Sequence, residues 1–248
     1  MTALLQTEGV SVRYGGVIAN DDVAIAVGRG EIVGLIGPNG AGKTTFVDAV
    51  TGYATATGRV LLSGQPVEHL SPHRRRRAGL ARTWQAGELF LDLTVAENLS
   101  VAVERTGWRA LARDVLGRRT EPPEVAWTME LLGLGSIARR RPQELSLGQQ
   151  KMAGVARALM GHSQVVLLDE PAAGLDTRES ADFGDELRRI AASGVGLLLI
   201  DHDMTLVLDV CHRVYVMDFG RVIASGEPGE VRRDPAVVAA YLGSEVAP

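Results

Sequence analysis

The chain has 248 residues, 46% of them hydrophobic, enough for one sizeable core or for a core carrying a smaller lobe. A net charge of −4 argues against a protein that grips nucleic acid through its phosphates, and a single cysteine, Cys211, excludes a disulfide framework or a thiolate metal cluster and fits a reducing cytosol. No basic region followed by a long apolar core stands at the N-terminus, and runs such as Leu197–Ile200 are too short to span a bilayer, so any membrane role is expected to come through a partner.

In chain order, Gly9–Tyr14 alternates apolar and polar residues like a strand, as does Val23 to Val27, with Gly15-Gly16 and Gly28-Arg29-Gly30 as turns. Tyr14 is either an ordinary strand aromatic or a flat face on which an adenine stacks. Ile32–Ile36 is a continuous apolar run, short enough for a buried parallel strand. It leads into Gly37-Pro38-Asn39-Gly40-Ala41-Gly42-Lys43-Thr44-Thr45, which fits the phosphate-binding pattern G-x-x-x-x-G-K-[ST]. Lys43 to Val50 is expected to wind as a helix whose unpaired first-turn N–H groups point back at the loop. The three glycines let the backbone curl around an anion, forming a nest of N–H groups for phosphate oxygens. Lys43 is then placed for the terminal phosphates and the Thr44 hydroxyl for Mg²⁺, so the chain is expected to bind a nucleoside triphosphate.

Gly58–Gly64 reads as a further strand. Arg74–Arg77, the densest charge run, reads as a solvated helix face, the alternative being a docking patch for anionic lipid or an acidic partner. Ala81–Gln85 looks like a strand ending in a polar residue. Residues 93–143 then turn to Leu, Ala, Arg and Glu at helical spacing, with a helix over Val125 to Leu134. Glu121-Pro122-Pro123 and Arg141-Pro142 break this stretch, which is read as a helical subdomain inserted into an α/β core of residues 1–92 and 144–248. Trp108 and Trp127 are taken as packing residues of that lobe.

Ser146 with Gln149 has the form of a capping box, and Met152, Val155, Ala156 and Leu159 lie on one helix face. A helix starting there exposes its positive end and a glycine, a second anion site far in sequence from the first. Val165–Leu168 is an apolar strand run into Asp169 and Glu170. Placed beside the strand of the phosphate loop, it would bring Asp169 to the Mg²⁺ shell and Glu170 near the γ-phosphate as a general base. Asp176 and Glu179 form another capping box, opening a helix through Ala192. Gly196–Ile200 is a strand, His202 stands at its end where α/β folds place ligands, and Asp203 can cap the helix of Leu206, Val207 and Val210. Val214–Met217 and Arg221–Ala224 flank Asp218-Phe219-Gly220 as a hairpin, and a short helical tail follows.

Taken in this order, the residues resemble the ATP-binding subunits of ABC transporters over essentially the whole length. The resemblance rests on Tyr14, the Walker A loop Gly37–Thr45, the Q-loop Gln85 and the signature Leu145–Gln149. It continues in the Walker B run Val165–Asp169 with Glu170, the D-loop Gly174-Leu175-Asp176 and the switch His202. It implies a P-loop α/β core with a mainly parallel sheet, an N-terminal antiparallel β part and an inserted helical subdomain. ATP and Mg²⁺ are the implied cofactors. Tyr14 would stack on adenine, and Lys43 with the loop from Gly37 to Thr45 would hold the phosphates. Thr44, Gln85 and Asp169 would serve Mg²⁺, Glu170 would activate water, and His202 would orient the γ-phosphate.

The implied assembly is a head-to-tail homodimer, or a heterodimer with another ABC ATPase subunit, bound to transmembrane permease subunits on the inner, cytoplasmic face of the cell membrane. Across it Ser146, Gly148, Gln149 and Asp176 of one subunit would complete the site of the other. Leu147 departs from the family pattern L-S-G-G-Q by standing where a glycine is usual, which bears on close approach to a phosphate there. Ala81–Gln85, Pro171–Asp176, Asp201–Met204 and the stretch from Asp234 to Gly243 look like the branched-chain amino acid importer ATPases. The alternatives are an importer ATPase for urea, short amides or another polar solute, or a soluble non-transport ABC ATPase. Neither nucleic acid nor direct contact with the transported solute is expected.

Overall fold

The computed structural model describes residues 3–83, 89–103, 122–201 and 204–244. Two sheets share the chain. The first is antiparallel, in the order β2-β1-β5-β6, with β3 also on β1. It contains β1 (Ala3–Tyr14), β2 (Val17–Val23), β3 (Ala26–Gly28), β5 (Thr57–Leu62) and β6 (Gln65–Pro66). β1 runs further back than Gly9 because its first half pairs with β3 and β5 while its second half pairs with β2. The expected strand over Val23 to Val27 is two strands. Between them the chain crosses from one half of β1 to the other, and Ile25 bonds to both the backbone and the hydroxyl of Thr7.

The second sheet has the order β11-β10-β4-β9-β8-β7. Its strands are β4 (Ile32–Ile36), β7 (Leu80–Arg82), β8 (Val165–Asp169), β9 (Gly196–Ile200), β10 (Arg213–Asp218) and β11 (Arg221–Gly226). All its pairs are parallel except the β10–β11 hairpin. β4, β8 and β9 are buried along their whole length, which explains their unbroken apolar runs. Alternate residues serve opposite faces. Ile32, Ile36, Val166, Leu168, Leu197 and Leu199 join one cluster, and Val33, Leu35, Val165, Leu167, Leu198 and Ile200 join the other. One expectation is corrected here: β8 does not lie beside β4. β9 stands between them, which puts Asp169 two strand spacings, roughly 10 Å, from the strand of the phosphate loop.

Phe46, Val47, Ala49 and Val50 of α1 (Lys43–Thr51) pack in the cluster shared with the antiparallel sheet. The opposite face carries α5 (Leu147–Leu159), α6 (Thr177–Ala192) and α7 (Met204–Val210), numbered after α2 (Pro72–Arg77), α3 (Val95–Ala102) and α4 (Pro123–Leu131). α3 and α4 send Leu99, Val125 and Met129 into that same cluster, against α5. α4 stops at Leu131, short of Leu134, since Gly133 takes φ +60° and turns the chain into a 3₁₀ segment at Leu134–Ile137. Trp127 is 48% exposed, so it is not a packing residue; Trp108 lies outside the described residues. The two short helices of the tail are α8 (Pro228–Val231) and α9 (Pro235–Ser244).

The arginine run also departs from the solvated face expected of it. Arg75 on α2 is buried, and its guanidinium donates to the carbonyls of Ala49, Val50, Glu68 and Leu70. Arg76 bonds to Ser163 and Met160, while Arg74 and Arg77 stay exposed. The last carbonyls of α1 have no partner within their own helix, and Arg75 supplies donors for two of them.

Candidate nucleotide site

The loop from Gly37 to Gly42 is shaped by what presses against it. A Cβ on Gly37 would sit 2.1 Å from the Met217 carbonyl oxygen, and one on Gly42 would sit 2.4 Å from that of Ala19. Both glycines have positive φ, +149° and +96°, and bare backbone is what fits there. The Asn20 side chain donates to the Gly42 carbonyl at 3.0 Å, and the Gly220 amide to that of Ala41, also at 3.0 Å. β2 and the β10–β11 hairpin thus buttress the loop from two sides. Pro38 is part-buried, Asn39 and Gly40 are exposed, and Thr44 and Thr45 follow in the first turn of α1.

Lys43 folds back into the loop, its Nζ donating to the carbonyls of Gly37 at 2.7 Å and Pro38 at 3.0 Å. Burial holds its amine below the usual lysine range, and the negative charges of Glu170 and Asp169 work the other way. The acid pair at the end of β8 therefore acts on the lysine of the loop, although β9 separates the two strands.

Asp169 is almost fully buried, and burial raises its carboxyl above the ordinary value, opposed chiefly by the hydrogen bond and charge of Arg82. Its Oδ2 accepts from Arg82 Nη2 at 2.9 Å, while its Oδ1 is buried with no hydrogen-bond partner. Glu170 takes a left-handed conformation, φ +48°, and donates its amide to the Ile200 carbonyl at 2.7 Å. A glutamate there costs about 1 kcal/mol or more, strain that clusters at functional positions. The next turn is held by Asp201, whose Oδ2 accepts from the Ala172 amide at 3.2 Å. Arg82 and Asp201 had no role assigned from sequence. The available signal was a charged residue ending an apolar strand, Leu80-Ala81-Arg82 and Leu199-Ile200-Asp201.

Tyr14 ends β1 opposite Val17 and is 55% exposed, an open aromatic face. Gln85 and His202 lie outside the described residues. Ser146 caps α5 as the sequence indicates: its Oγ accepts from the Gln149 amide at 3.3 Å, and the Gln149 side chain accepts from the Ser146 amide at 3.1 Å. Ser146, Gly148 and Gln149 line a pocket of roughly 320 Å³ with Glu179, Asp182 and Glu186, and no residue of the phosphate loop borders it. Asp176 caps α6, accepting from the Glu179 amide at 2.8 Å. Leu147 is 43% exposed, and its Cδ2 lies 3.3 Å from where a Cβ on Gly174 would be. It leans on the chain's own D-loop.

The residues present suit a divalent cation bound together with a nucleotide: the unpartnered Asp169 Oδ1 and the exposed Thr44 at the helix start are hard oxygen donors. Among the described residues no cluster of three or more His, Cys, Asp or Glu forms a dedicated metal cage. Phosphate oxygens and water would have to complete the shell.

Amides and a lysine that take phosphates at a helix start, with two carboxylates on the next strand but one, are the apparatus of a P-loop nucleoside triphosphatase. The family model described as "ABC transporter" matches residues 20–173, and that described as "Branched-chain amino acid ATP-binding cassette transporter" matches residues 221–247. The high-affinity branched-chain amino acid transport ATP-binding protein BraF of Pseudomonas aeruginosa is 36% identical over 97% of this chain and 98% of its own. LivG of Escherichia coli, of the same description, is 37% identical over the same shares. Among solved structures, the ADP conformation of MJ1267, an ATP-binding cassette of an ABC transporter, superposes with a TM-score of 0.84 and 31% identity, covering 98% of this chain and 100% of that one. The chain belongs to the ABC transporter family, and it is an ATP-binding ATPase of that family. No described helix is long and apolar enough to cross a membrane.

Proposed function

We propose that this chain hydrolyses ATP at a head-to-tail dimer interface to power import of branched-chain amino acids. The observation that carries the hydrolytic reading is the loop between Gly37 and Gly42 with Lys43 folded into it, under the charge of Asp169 and Glu170. Lys43 exchanges the two loop carbonyls for phosphate oxygens. Thr44, Asp169 and Gln85 would hold the cation, which would supply charge neutralisation on the phosphates. Glu170 accepts the proton of the attacking water, its carboxylate set by the strained turn and by the bond to Ile200. His202 orients the γ-phosphate, Tyr14 stacks on adenine, and Ser146, Gly148, Gln149 and Asp176 act on the nucleotide of the other subunit. Donors aimed at a developing charge in this way are worth on the order of 3 kcal/mol each.

We read the stretch 93–143, of which α3 and α4 lie among the described residues, as the lobe that follows the permease. Its α3 faces α1 and α2 across a groove of roughly 380 Å³ lined by Tyr53, His73, Arg76, Ala102 and Arg157. Tyr53, Phe90, Leu91 and Val101 are each more than half exposed, apolar side chains available to a permease helix. Branched-chain amino acids are the favoured cargo because the match at residues 221–247 is to that transporter class, outside the catalytic motifs.

Glu170→Gln tests the chemistry: ATP binding is retained, hydrolysis falls about a hundredfold or more, and ATP traps a dimer on size-exclusion chromatography. Unchanged turnover removes Glu170 from its role. Uptake of labelled leucine by cells lacking the gene tests the cargo, and full uptake overturns it.

A further inference from the structure

One buried cation touches the site without belonging to any of the motifs that bind nucleotide. Arg82 is the last residue of β7, which among the described residues stands at the sheet edge and pairs with β8. Its side chain is 7% exposed and bridges two carboxylates, Asp169 at 2.9 Å on one side and Asp48 of α1 on the other. The Asp169 backbone is held as well, its amide donating to Thr83 Oγ1 at 3.2 Å, while the Thr83 amide donates to the Leu167 carbonyl at 2.9 Å. So one carboxylate oxygen of Asp169 is clamped and the other, Oδ1, is left without a partner.

We propose that Arg82 is a positioning residue for the nucleotide-bound cation: it fixes the Asp169 carboxylate through Oδ2 so that Oδ1 is presented to the metal. The charges favour this division of labour. Asp48, Arg82 and Asp169 together carry a net charge of −1, so the arginine orients the acid without fully neutralising it, and a second cation is still attracted. The guanidinium suits the task because its planar fork reaches both acids from one rigid group, which an ammonium cannot do. The same bridge ties the helix that begins at Lys43 to the strand that carries Asp169, so phosphate loop and metal acid keep their spacing. Partners that orient a metal ligand in this manner are typically worth about ten- to a hundredfold in metal affinity.

The inference rests on Asp169 being the cation ligand, and the test separates the two. The full-length protein is titrated with a fluorescent ATP analogue in EDTA and in Mg²⁺, and the gain in affinity on adding Mg²⁺ is the readout. Mn²⁺ binding to the ATP complex, followed by electron paramagnetic resonance, reads the metal directly. Arg82→Met is expected to keep EDTA affinity within about twofold and to cut the Mg²⁺ gain and the Mn²⁺ affinity about tenfold or more. Arg82→Lys, which keeps the charge and reaches one acid, recovers part of the loss. An unchanged Mg²⁺ gain in Arg82→Met, or an equal fall of affinity with and without metal, overturns the proposal. Should Arg82→Met fail to fold, Arg82→Gln, which removes the charge and the bridge, is read the same way, and an unchanged Mg²⁺ gain there overturns it too. Asp169→Asn is the reference: if it keeps the Mg²⁺ gain, the ligand reading itself falls. If it loses the gain while Arg82→Met keeps it, only the role of Arg82 falls.

Discussion

Replacing Arg75 by methionine keeps most of the apolar stem and deletes a guanidinium whose donors all end on backbone carbonyls. Nε reaches Leu70 at 3.0 Å, Nη1 reaches Ala49 at 2.8 Å and Val50 at 2.7 Å, and Nη2 reaches Glu68 at 2.6 Å. Hydrogen bonds to a charged group are worth about 1.5–3 kcal/mol each, but they share one side chain, and the lost desolvation cost of the arginine offsets part of the sum. The Val50 carbonyl, at the end of the helix that begins at Lys43, loses its guanidinium donor, and that of Ala49 is left with the Gly52 amide at 3.2 Å. The net cost is about 3–5 kcal/mol, a large fraction of a typical domain stability. Urea unfolding followed by circular dichroism is the assay, with the exposed neighbour Arg74→Met as control, expected within about 0.5 kcal/mol of the parent. At a slope near 2 kcal/mol per molar, the Arg75 variant loses about 1.5–2.5 M in its midpoint. A midpoint equal to that of Arg74→Met would refute the assignment of Arg75 as an internal cap.

Gly37→Ala puts a methyl 2.1 Å from the backbone oxygen of Met217, a contact no rotamer relieves. The loop must shift, and affinity for a fluorescent ATP analogue is expected to fall about tenfold or more, roughly 1.4 kcal/mol. Cys211 is buried, and burial pushes its thiol up from 9.0 to about 12. In the folded protein it is expected to resist a thiol reagent at pH 8 and to react once urea unfolds the chain; rapid labelling of the native protein would contradict this. The sign of the linked stability follows. The unfolded thiol releases its proton first, so stability present below pH 9.0 is lost as pH rises toward about 12, at about 1.4 kcal/mol per unit.

Local rules carried much of this protein. The capping boxes at Ser146 and Asp176, the helix from Lys43 and the buried strands β4, β8 and β9 follow from hydrogen-bonding chemistry and apolar runs within a few residues of each other. The ordered motifs from Tyr14 to Asp176 were visible for the same reason, since each is a contiguous peptide whose chemistry depends on its own neighbours. Arg75 shows the limit. Four consecutive arginines carry the same local signal, and only the fold decides that one of them lies against the end of α1 while another faces water. The order of strands was hidden likewise, because a parallel neighbour is chosen by long-range packing of both sheet faces rather than by strand composition.

The sequence alone determined the phosphate loop, the buried strands β4, β8 and β9 and the capped helices at Ser146 and Asp176, and that the chain is an ATP-driven machine of the ABC kind. Tertiary structure decided which charges meet: that β9 separates the acid strand from the loop strand, that Leu147 leans on its own D-loop, and that Arg82 spans Asp48 and Asp169. The reason is physical. Propensity, capping and turn chemistry act over a few residues along the chain, whereas electrostatic contact is a matter of distance in space, and Asp48, Arg82 and Asp169 become neighbours only when the sheet closes around them.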